Sequence, residues 1–244
     1  MLNHIDINVD VGEGFGNESQ YMSYISSCNI ACGGHSGNLQ TMRSVAALAK
    51  KHHVKIGAHP SFPDKKNFGR KIVEMSPESL YTAIKSQIYS LIDVLNEHQV
   101  VLHHIKPHGA LYNLAAIDNA TAQVIINVIQ QLDFSVKLYV PYRSVIAQLA
   151  LKNNIPIVYE AFADRNYNAD LTLVSRESHN ALISNVDEAF EHIRSMVISQ
   201  KVKTTDGDYV DIKAETFCVH GDHPNAVNLI IDLVNRLKNS NTKM

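Results

Sequence analysis

The residues best suited to chemistry stand where short apolar runs of the chain end. Residues 100–105 are largely apolar and β-branched, which predicts a strand, and Lys106, Pro107 and His108 follow at once. Because proline cannot donate a hydrogen bond to a strand ladder, the strand is expected to end there. A cation and an imidazole are therefore expected at the carboxyl end of a buried strand. Gly109 lets the backbone turn sharply or lets a ligand approach it.

The same arrangement recurs along the chain, with ionisable residues directly after most of the predicted strands. Polar residues scattered by chance in loops would not follow the strands so consistently. In a barrel of parallel strands these positions meet at one end, where active sites lie. The candidate catalytic residues are Asp10, Glu13, His35, His59, Lys106, His108, Glu160, Asp164, Arg165, His220 and Asp222.

This combination of groups could activate a poor electrophile. Lys106 and Arg165 can bind phosphate or carboxylate oxygens, arginine as a bidentate fork, and a carboxylate or histidine can act as general base for water. Two histidines and an aspartate could also hold a divalent metal, but no H-x-H or H-E-x-x-H spacing selects a ligand set. The chain has no G-x-x-x-x-G-K-[ST] loop, so ATP use would need another phosphate cradle or another subunit.

Hydrophobic periodicity predicts alternating strands and helices. Strands are predicted at 5–11, 27–31, 54–58, 100–105, 136–140, 155–161 and 216–219, and helices at 20–26, 41–52, 76–98, 120–132, 142–152, 186–199 and 224–237. Residues 201–214 are expected to form a hairpin, and 171–174 a short strand within a loop. This order predicts one α/β domain over residues 1–244, a parallel barrel whose first strand turns its polar residues inward. A doubly wound open sheet is the alternative.

Composition excludes several classes of protein. The 244 residues are 45% hydrophobic and 19% charged, with a formal net charge of -2, which gives no field to recruit nucleic acid or an anionic membrane. Three cysteines, the lack of a basic and apolar leader, and the lack of an apolar run near 18 residues predict a cytoplasmic protein with reduced thiols.

A series of motifs spans nearly the whole chain. They read DINVDVGEGFG at 6–16, NIACGGH at 29–35, GAHP at 57–60, FGR at 68–70, KPHGALYN at 106–113, EAFADR at 160–165, AD at 169–170 with LV at 173–174, and HGD at 220–222. In these motifs the chain resembles the LamB/YcsF family, the A subunit of the prokaryotic 5-oxoprolinase. The family pattern is broken at two places: Gly34 stands where a phenylalanine is expected, and Ser61-Phe62 where glycine and tyrosine are usual.

The resemblance implies a distorted, seven-stranded TIM-like barrel of the glycoside hydrolase/deacetylase type. It implies ATP-dependent opening of 5-oxo-L-proline to L-glutamate, in a complex with subunits B and C. In addition to what the resemblance implies, we place the substrate carboxylate or the ATP phosphates near Lys106 and Arg165. Asp10, Glu13 or Glu160 would act as base or Mg²⁺ ligand. The four histidines His35, His59, His108 and His220 are expected to carry protons or to contact substrate oxygens.

Two other functions stay open from sequence. A metal-dependent deacetylase or amidohydrolase that works without ATP would use the same histidines and aspartates. A non-catalytic subunit could bind 5-oxoproline and act as scaffold or sensor, although a pure binder needs few ionisable groups.

Overall fold

A closed barrel of parallel strands forms the centre of the protein, in a computed structural model that describes residues 5–223 and 225–240. Its strands are β1 (Asp6–Val11), β2 (Ser27–Ala31), β3 (Lys55–His59), β4 (His104–Ile105), β5 (Lys137–Pro141), β6 (Ile157–Phe162) and β9 (Thr216–Val219). The strands β7 (Lys201–Lys203) and β8 (Tyr209–Asp211) form a separate antiparallel pair between β6 and β9 in the chain. Because β9 pairs with both β6 and β1, the sheet closes, and the predicted seven-stranded barrel is confirmed.

Helices connect the strands. They are α1 (Glu18–Tyr21), α2 (Leu39–Lys51), α3 (Pro77–Glu97), α4 (Gly109–Ile117), α5 (Asn119–Gln130), α6 (Val145–Lys152), α7 (Val186–Arg194) and α8 (Ala226–Asn239), with a π-helical turn at Ser195–Ser199. The start of α3 follows its sequence signal, since the Ser76 side chain accepts a hydrogen bond from the Ser79 amide and Pro77 fills the first turn. No helix of the described residues is long and apolar enough to cross a membrane.

Strand β1 shows how the barrel is filled. Ile7, Val9 and Val11 are buried in the hydrophobic core, together with apolar residues of α2 and α8. Asn8 and Asp10, on the opposite face, form hydrogen bonds with Asn29 of β2 inside the barrel. The barrel interior is therefore polar and the layer around it apolar, as the alternation in this strand predicted.

Strand β4 is shorter than predicted. Only His104 and Ile105 pair with β3, and Val101 is exposed to solvent. The chain leaves α3 through Gln99, whose φ of 55° is left-handed, and the Val100 amide is still bonded to the Leu95 carbonyl. Residues 100–103, which their β-branched composition predicted to be strand, therefore belong to the turn that connects α3 to β4.

Helix α4 was not predicted, because Pro107 and Gly109 look like breakers. Gly109 has a φ of 54°, and a Cβ there would lie 2.6 Å from the carbonyl oxygen of Gly69. That same oxygen accepts a hydrogen bond from the Ala110 amide at 2.9 Å. The contact with the segment around Gly69 explains both the glycine and the point where the helix begins.

Two smaller expectations also differ from the structure. The predicted helix at 20–26 is a single turn, α1, and residues 171–174 make only an isolated bridge between Tyr167 and Leu173. Pro224, the predicted first residue of α8, lies outside the described residues. The predicted hairpin is confirmed as β7 and β8, with Gly207 at a φ of 93° in the turn.

Candidate active site

Lys106 is the centre of a buried ionic network at the carboxyl end of the barrel. Its Nζ lies 3.0 Å from Asp10 Oδ1, 3.0 Å from Glu160 Oε1 and 3.0 Å from the Sγ of Cys218. Burial opposes a charge here, but Asp10, Cys218 and Glu160 outweigh it and raise the pKa of Lys106 well above its usual value. Burial likewise acts against an ionised Asp10, yet His59 and Lys106 lower the pKa of that carboxyl well below its usual value. Both groups are therefore charged at neutral pH.

Two asparagines and a histidine hold this network in place, and sequence analysis did not single them out. Asn29 Nδ2 donates to Asp10 Oδ1 and to Asn8 Oδ1, both at 2.8 Å, and Asn8 Nδ2 donates to Glu160 Oε1 at 3.0 Å. His104 Nε2 lies 2.6 Å from Asn29 Oδ1, which can only accept. The polar alternation in β1 was the signal that could have identified Asn8.

Four buried side chains form a second group, called here the histidine cluster: Glu13, His35, His59 and His108. His35 Nε2 lies 2.9 Å from Glu13 Oε1, and the His35 and His108 rings stack with centroids 3.6 Å apart. His108 Nδ1 lies 2.9 Å from His59 Nε2, which is 3.3 Å from Asp10 Oδ2. The cluster therefore joins the ionic network through Asp10.

Burial controls ionisation in this cluster. It lowers the pKa of His35 to about 2 and that of His108 well below its usual value, with a further contribution from neighbouring histidines. Burial, with Asp10 and Asp222 nearby, raises the pKa of Glu13 well above its usual value. Two stacked imidazoles are thus kept neutral, and a carboxyl that holds a proton more tightly than usual lies beside them.

His220 and Asp164 form a third unit. The Asp164 carboxylate accepts from the His220 amide at 2.8 Å and contacts the Nδ1 of that residue at 3.0 Å. Burial opposes the charge of Asp164, but His220 outweighs it and lowers the pKa of Asp164 to about 2. Asp164 therefore orients His220 toward the site.

Arg165 lies differently from what its predicted role as an anion ligand requires. Its guanidinium is buried and donates to the backbone carbonyls of Val174 at 2.6 Å and Ala181 at 3.3 Å. These bonds fix the loop that follows β6. Arginines that sequence analysis had passed over, Arg70 and Arg176, both pair with the carboxylate of Asp222.

A cavity of about 460 Å³ opens over these groups, and we call it the strand-end cavity. Its lining includes Asp10, His59, Lys106, His108 and His220. The more exposed Arg70, Lys71 and Arg176 also line it, and so does the buried Arg165. A second, largely apolar cavity of about 550 Å³ lies beside it behind Tyr112 and Phe162, which line both. The ionisable groups converge on the strand-end cavity, which is therefore the candidate active site.

The two departures from the family pattern are neighbours in space. A Cβ on Gly34 would lie 2.3 Å from Gln87 Oε1 and 2.4 Å from Ser61 Oγ. Gln87 in turn accepts from the Ser61 amide and donates to the Ser61 carbonyl, each at 2.9 Å. Ser61 and Gln87 thus fill the space beside Gly34, and none of the three residues lines the strand-end cavity.

Comparison with known proteins agrees with this architecture. The model of the LamB/YcsF family matches residues 5–244. The chain belongs to this family. It is 42% identical over 231 residues, 93% of this chain and 91% of the relative, to the A subunit of 5-oxoprolinase from Shouchella clausii. It is 37% identical over 243 residues, 100% of this chain and 99% of the relative, to the A subunit of 5-oxoprolinase from Haemophilus influenzae.

A solved structure has the same fold over nearly the whole chain. The lactam utilization protein of Thermus thermophilus superposes with a TM-score of 0.90 at 35% identity, covering 97% of each chain. In the present chain the family motifs around residues 10, 59, 108 and 220 line the strand-end cavity, and His35 of the 29–35 motif stacks on His108.

The structure brings the eleven predicted site residues to one end of the barrel in distinct positions. Six of them line the strand-end cavity: Asp10, His59, Lys106, His108, Arg165 and His220. Glu13 and His35 lie behind His108. Glu160 pairs with Lys106 and also lines the apolar cavity, while Asp164 and Asp222 orient other residues. The role of each residue in catalysis stays a prediction.

Proposed function

We propose that this chain is the lactam-binding A subunit of an ATP-dependent 5-oxoprolinase, a hydrolase acting on a cyclic amide. The overall reaction converts 5-oxo-L-proline, ATP and two waters to L-glutamate, ADP and phosphate. The observation that carries the proposal is the buried pairing of Lys106 with Asp10 and Glu160 beneath a polar cavity. The relatives are named as A subunits of 5-oxoprolinase, which supports the choice of substrate.

Recognition of the substrate carboxylate is assigned to Arg70 and Arg176. Two guanidiniums share the single carboxylate of Asp222, so the mouth of the cavity keeps an excess of positive charge. An incoming carboxylate can replace part of these bonds with bidentate contacts of the same kind. Arg165 is less suited, since backbone carbonyls already occupy its guanidinium.

The lactam then reaches the inner groups of the cavity. A lactam carbonyl resists attack by water, and phosphorylation of its oxygen by ATP makes the carbonyl carbon more electrophilic. Lys106 supplies fixed positive charge for the oxygen that becomes negative in the transition state. A first water adds to the carbonyl carbon and the ring C–N bond breaks as the nitrogen takes up a proton, which gives an acyl phosphate; a second water then releases phosphate. His220, held by Asp164, is placed to donate and accept these protons, and His108 lines the same cavity.

ATP is the one reactant for which this chain offers no dedicated cradle in sequence. Lys106, predicted to bind it, is engaged with Asp10 and Glu160. We therefore propose that subunits B and C complete the enzyme, with Mg²⁺ accompanying the nucleotide, and that Arg70 and Lys71 are the cations able to meet a phosphate at the cavity mouth.

The test measures glutamate and phosphate released from 5-oxoproline and ATP. The chain is assayed alone and with subunits B and C, as wild type and as His108→Ala, with His192→Ala as a control for a buried histidine outside the site. We expect that only the complex turns over and that the isolated chain does not. The His108→Ala complex should lose this activity while size-exclusion chromatography still shows that it assembles. Full activity of His108→Ala would refute a catalytic role and favour a scaffold.

The second candidate function is an amidohydrolase that needs no ATP. The histidine cluster favours it, because three imidazoles and a carboxylate beside the cavity could serve hydrolysis without a nucleotide. Glutamate released by the chain alone, in buffer free of ATP, would establish it in place of the first proposal.

A further inference from the structure

Two histidines of the cluster face each other with ring nitrogens that carry no proton in the neutral state. His59 Nδ1 lies 2.7 Å from the Lys106 carbonyl oxygen, and His108 Nε2 lies 2.9 Å from the Phe68 carbonyl oxygen. A carbonyl oxygen only accepts, so the single proton of each neutral ring lies on these nitrogens. His59 Nε2 and His108 Nδ1 therefore direct lone pairs at each other across 2.9 Å.

Facing lone pairs repel unless a cation lies between them, and the surroundings suit a metal ion. We propose that His59 Nε2 and His108 Nδ1, with carboxylate oxygens of Asp10 and Glu13, bind one divalent transition-metal ion. Asp10 Oδ2 lies 3.3 Å from His59 Nε2, and Glu13 Oε1 lies 3.5 Å from His108 Nδ1. Imidazole nitrogens mixed with carboxylate oxygens are typical ligands of Zn²⁺, Co²⁺ and Fe²⁺.

The groups around these four donors hold them in the orientation that metal binding requires. Backbone carbonyls fix the tautomers of both histidines, which is the usual second interaction of a metal-bound imidazole. His35 Nε2, at 2.9 Å from Glu13 Oε1, orients that carboxylate. His35 Nδ1 is buried without a hydrogen-bond partner in the described part of the chain, so the proton of the neutral ring is best placed on Nε2.

Charge points the same way. Three carboxyl groups, those of Asp10, Glu13 and Glu160, lie in this buried region with a single ammonium group, that of Lys106. Such an excess of acidic oxygen ligands suits a divalent cation. Asp10, His59 and His108 also line the strand-end cavity, so the ion would have one side open to a ligand, as in catalytic rather than structural metal sites.

This inference does not depend on the substrate, since it concerns the chain by itself. Purified protein is treated with EDTA, freed of EDTA and titrated with ZnCl₂ by calorimetry, and with CoCl₂ while visible absorption is recorded. We expect one site per chain with a Kd below about 1 µM. At a Zn²⁺ concentration of 100 Kd the thermal midpoint is expected to rise by at least about 5 °C.

Variants then locate the ion. His59→Gln and His108→Gln are each expected to weaken Zn²⁺ binding at least about 100-fold and to abolish the Co²⁺ spectrum. His192→Gln, a buried histidine outside the cluster, should bind as wild type. Should either cluster variant lose its native circular dichroism, Glu13→Gln replaces it. Absence of a stoichiometric site in wild type would overturn the proposal, and so would a site that is unaffected by these variants.

Discussion

Replacement of Lys106 by methionine tests the ionic network directly. Methionine keeps the length and much of the volume of the side chain, so the main change is the loss of a charge that lies 3.0 Å from both Asp10 and Glu160. Two buried carboxylates are left without their cation. Removal of one partner of a buried ion pair costs about 3–5 kcal/mol, and we expect the free energy of unfolding at pH 7.5 to fall by that amount.

The loss is expected to depend on pH. In the native protein the pKa of Asp10 is lowered, so this carboxylate stabilises the fold above its unfolded pKa near 3.8 and loses that contribution as pH falls further. Without Lys106 the folded pKa of Asp10 rises, and the native variant takes up protons that the unfolded chain does not. Lowering the pH from 7.5 to 5 should therefore reduce the difference between variant and wild type.

The assay is urea unfolding followed by far-ultraviolet circular dichroism at pH 7.5, 6 and 5. Lys55→Met is the matched control, because Lys55 pairs with Asp6 at 3.1 Å but its side chain is 51% exposed. That variant should lose no more than about 1 kcal/mol. A Lys106→Met protein within about 1 kcal/mol of wild type at pH 7.5, or a deficit that stays constant to pH 5, would refute the reasoning.

Three further predictions concern the surroundings of the site. Gly34→Ala should lower the free energy of unfolding in urea by about 1–3 kcal/mol, because the added Cβ would lie 2.3 Å from Gln87 Oε1. The loss should be smaller in a Gln87→Ala background, and equal losses in the two backgrounds would contradict this prediction. Asp164→Asn should lower the free energy of unfolding by about 2 kcal/mol at pH 7. This difference should disappear between pH 4 and pH 2, because the pKa of Asp164 in the folded protein is lowered to about 2. A deficit of the same size at pH 2 would argue against this prediction. The three cysteines are buried, and burial raises the pKa of each thiol. They should therefore resist Ellman's reagent in the native protein and react in urea; fast native labelling would be inconsistent with this packing.

Local signals were enough for most of the elements. The Ser76-Pro77 start of α3 is a cap that functions through its own neighbours, and the alternation of β1 follows from the two-residue period of any strand. Where a distant segment decides the backbone, local signals failed. Helix α4 begins where it does because the Gly69 carbonyl lies against Gly109 and Ala110, a contact between residues 40 apart in the chain.

The candidate site divides in the same manner. The family motifs and the strand-end rule predicted the eleven ionisable residues, since parallel strands bring their carboxyl ends to one side of a barrel. They gave no indication that Arg165 would be occupied by the carbonyls of Val174 and Ala181, or that Arg70 and Arg176 would share Asp222.

Sequence by itself therefore determined the class of fold, the family and the ionisable residues expected at the strand ends, because these depend on periodicity, on turn chemistry and on residue type. Only the tertiary structure decided which groups are partners. Lys106 meets Cys218 and His108 meets His59 across 112 and 49 residues of chain, at distances of 3.0 and 2.9 Å. Ionisation, tautomer and ligand geometry depend on neighbours within a few ångströms, and barrel closure alone supplies those neighbours.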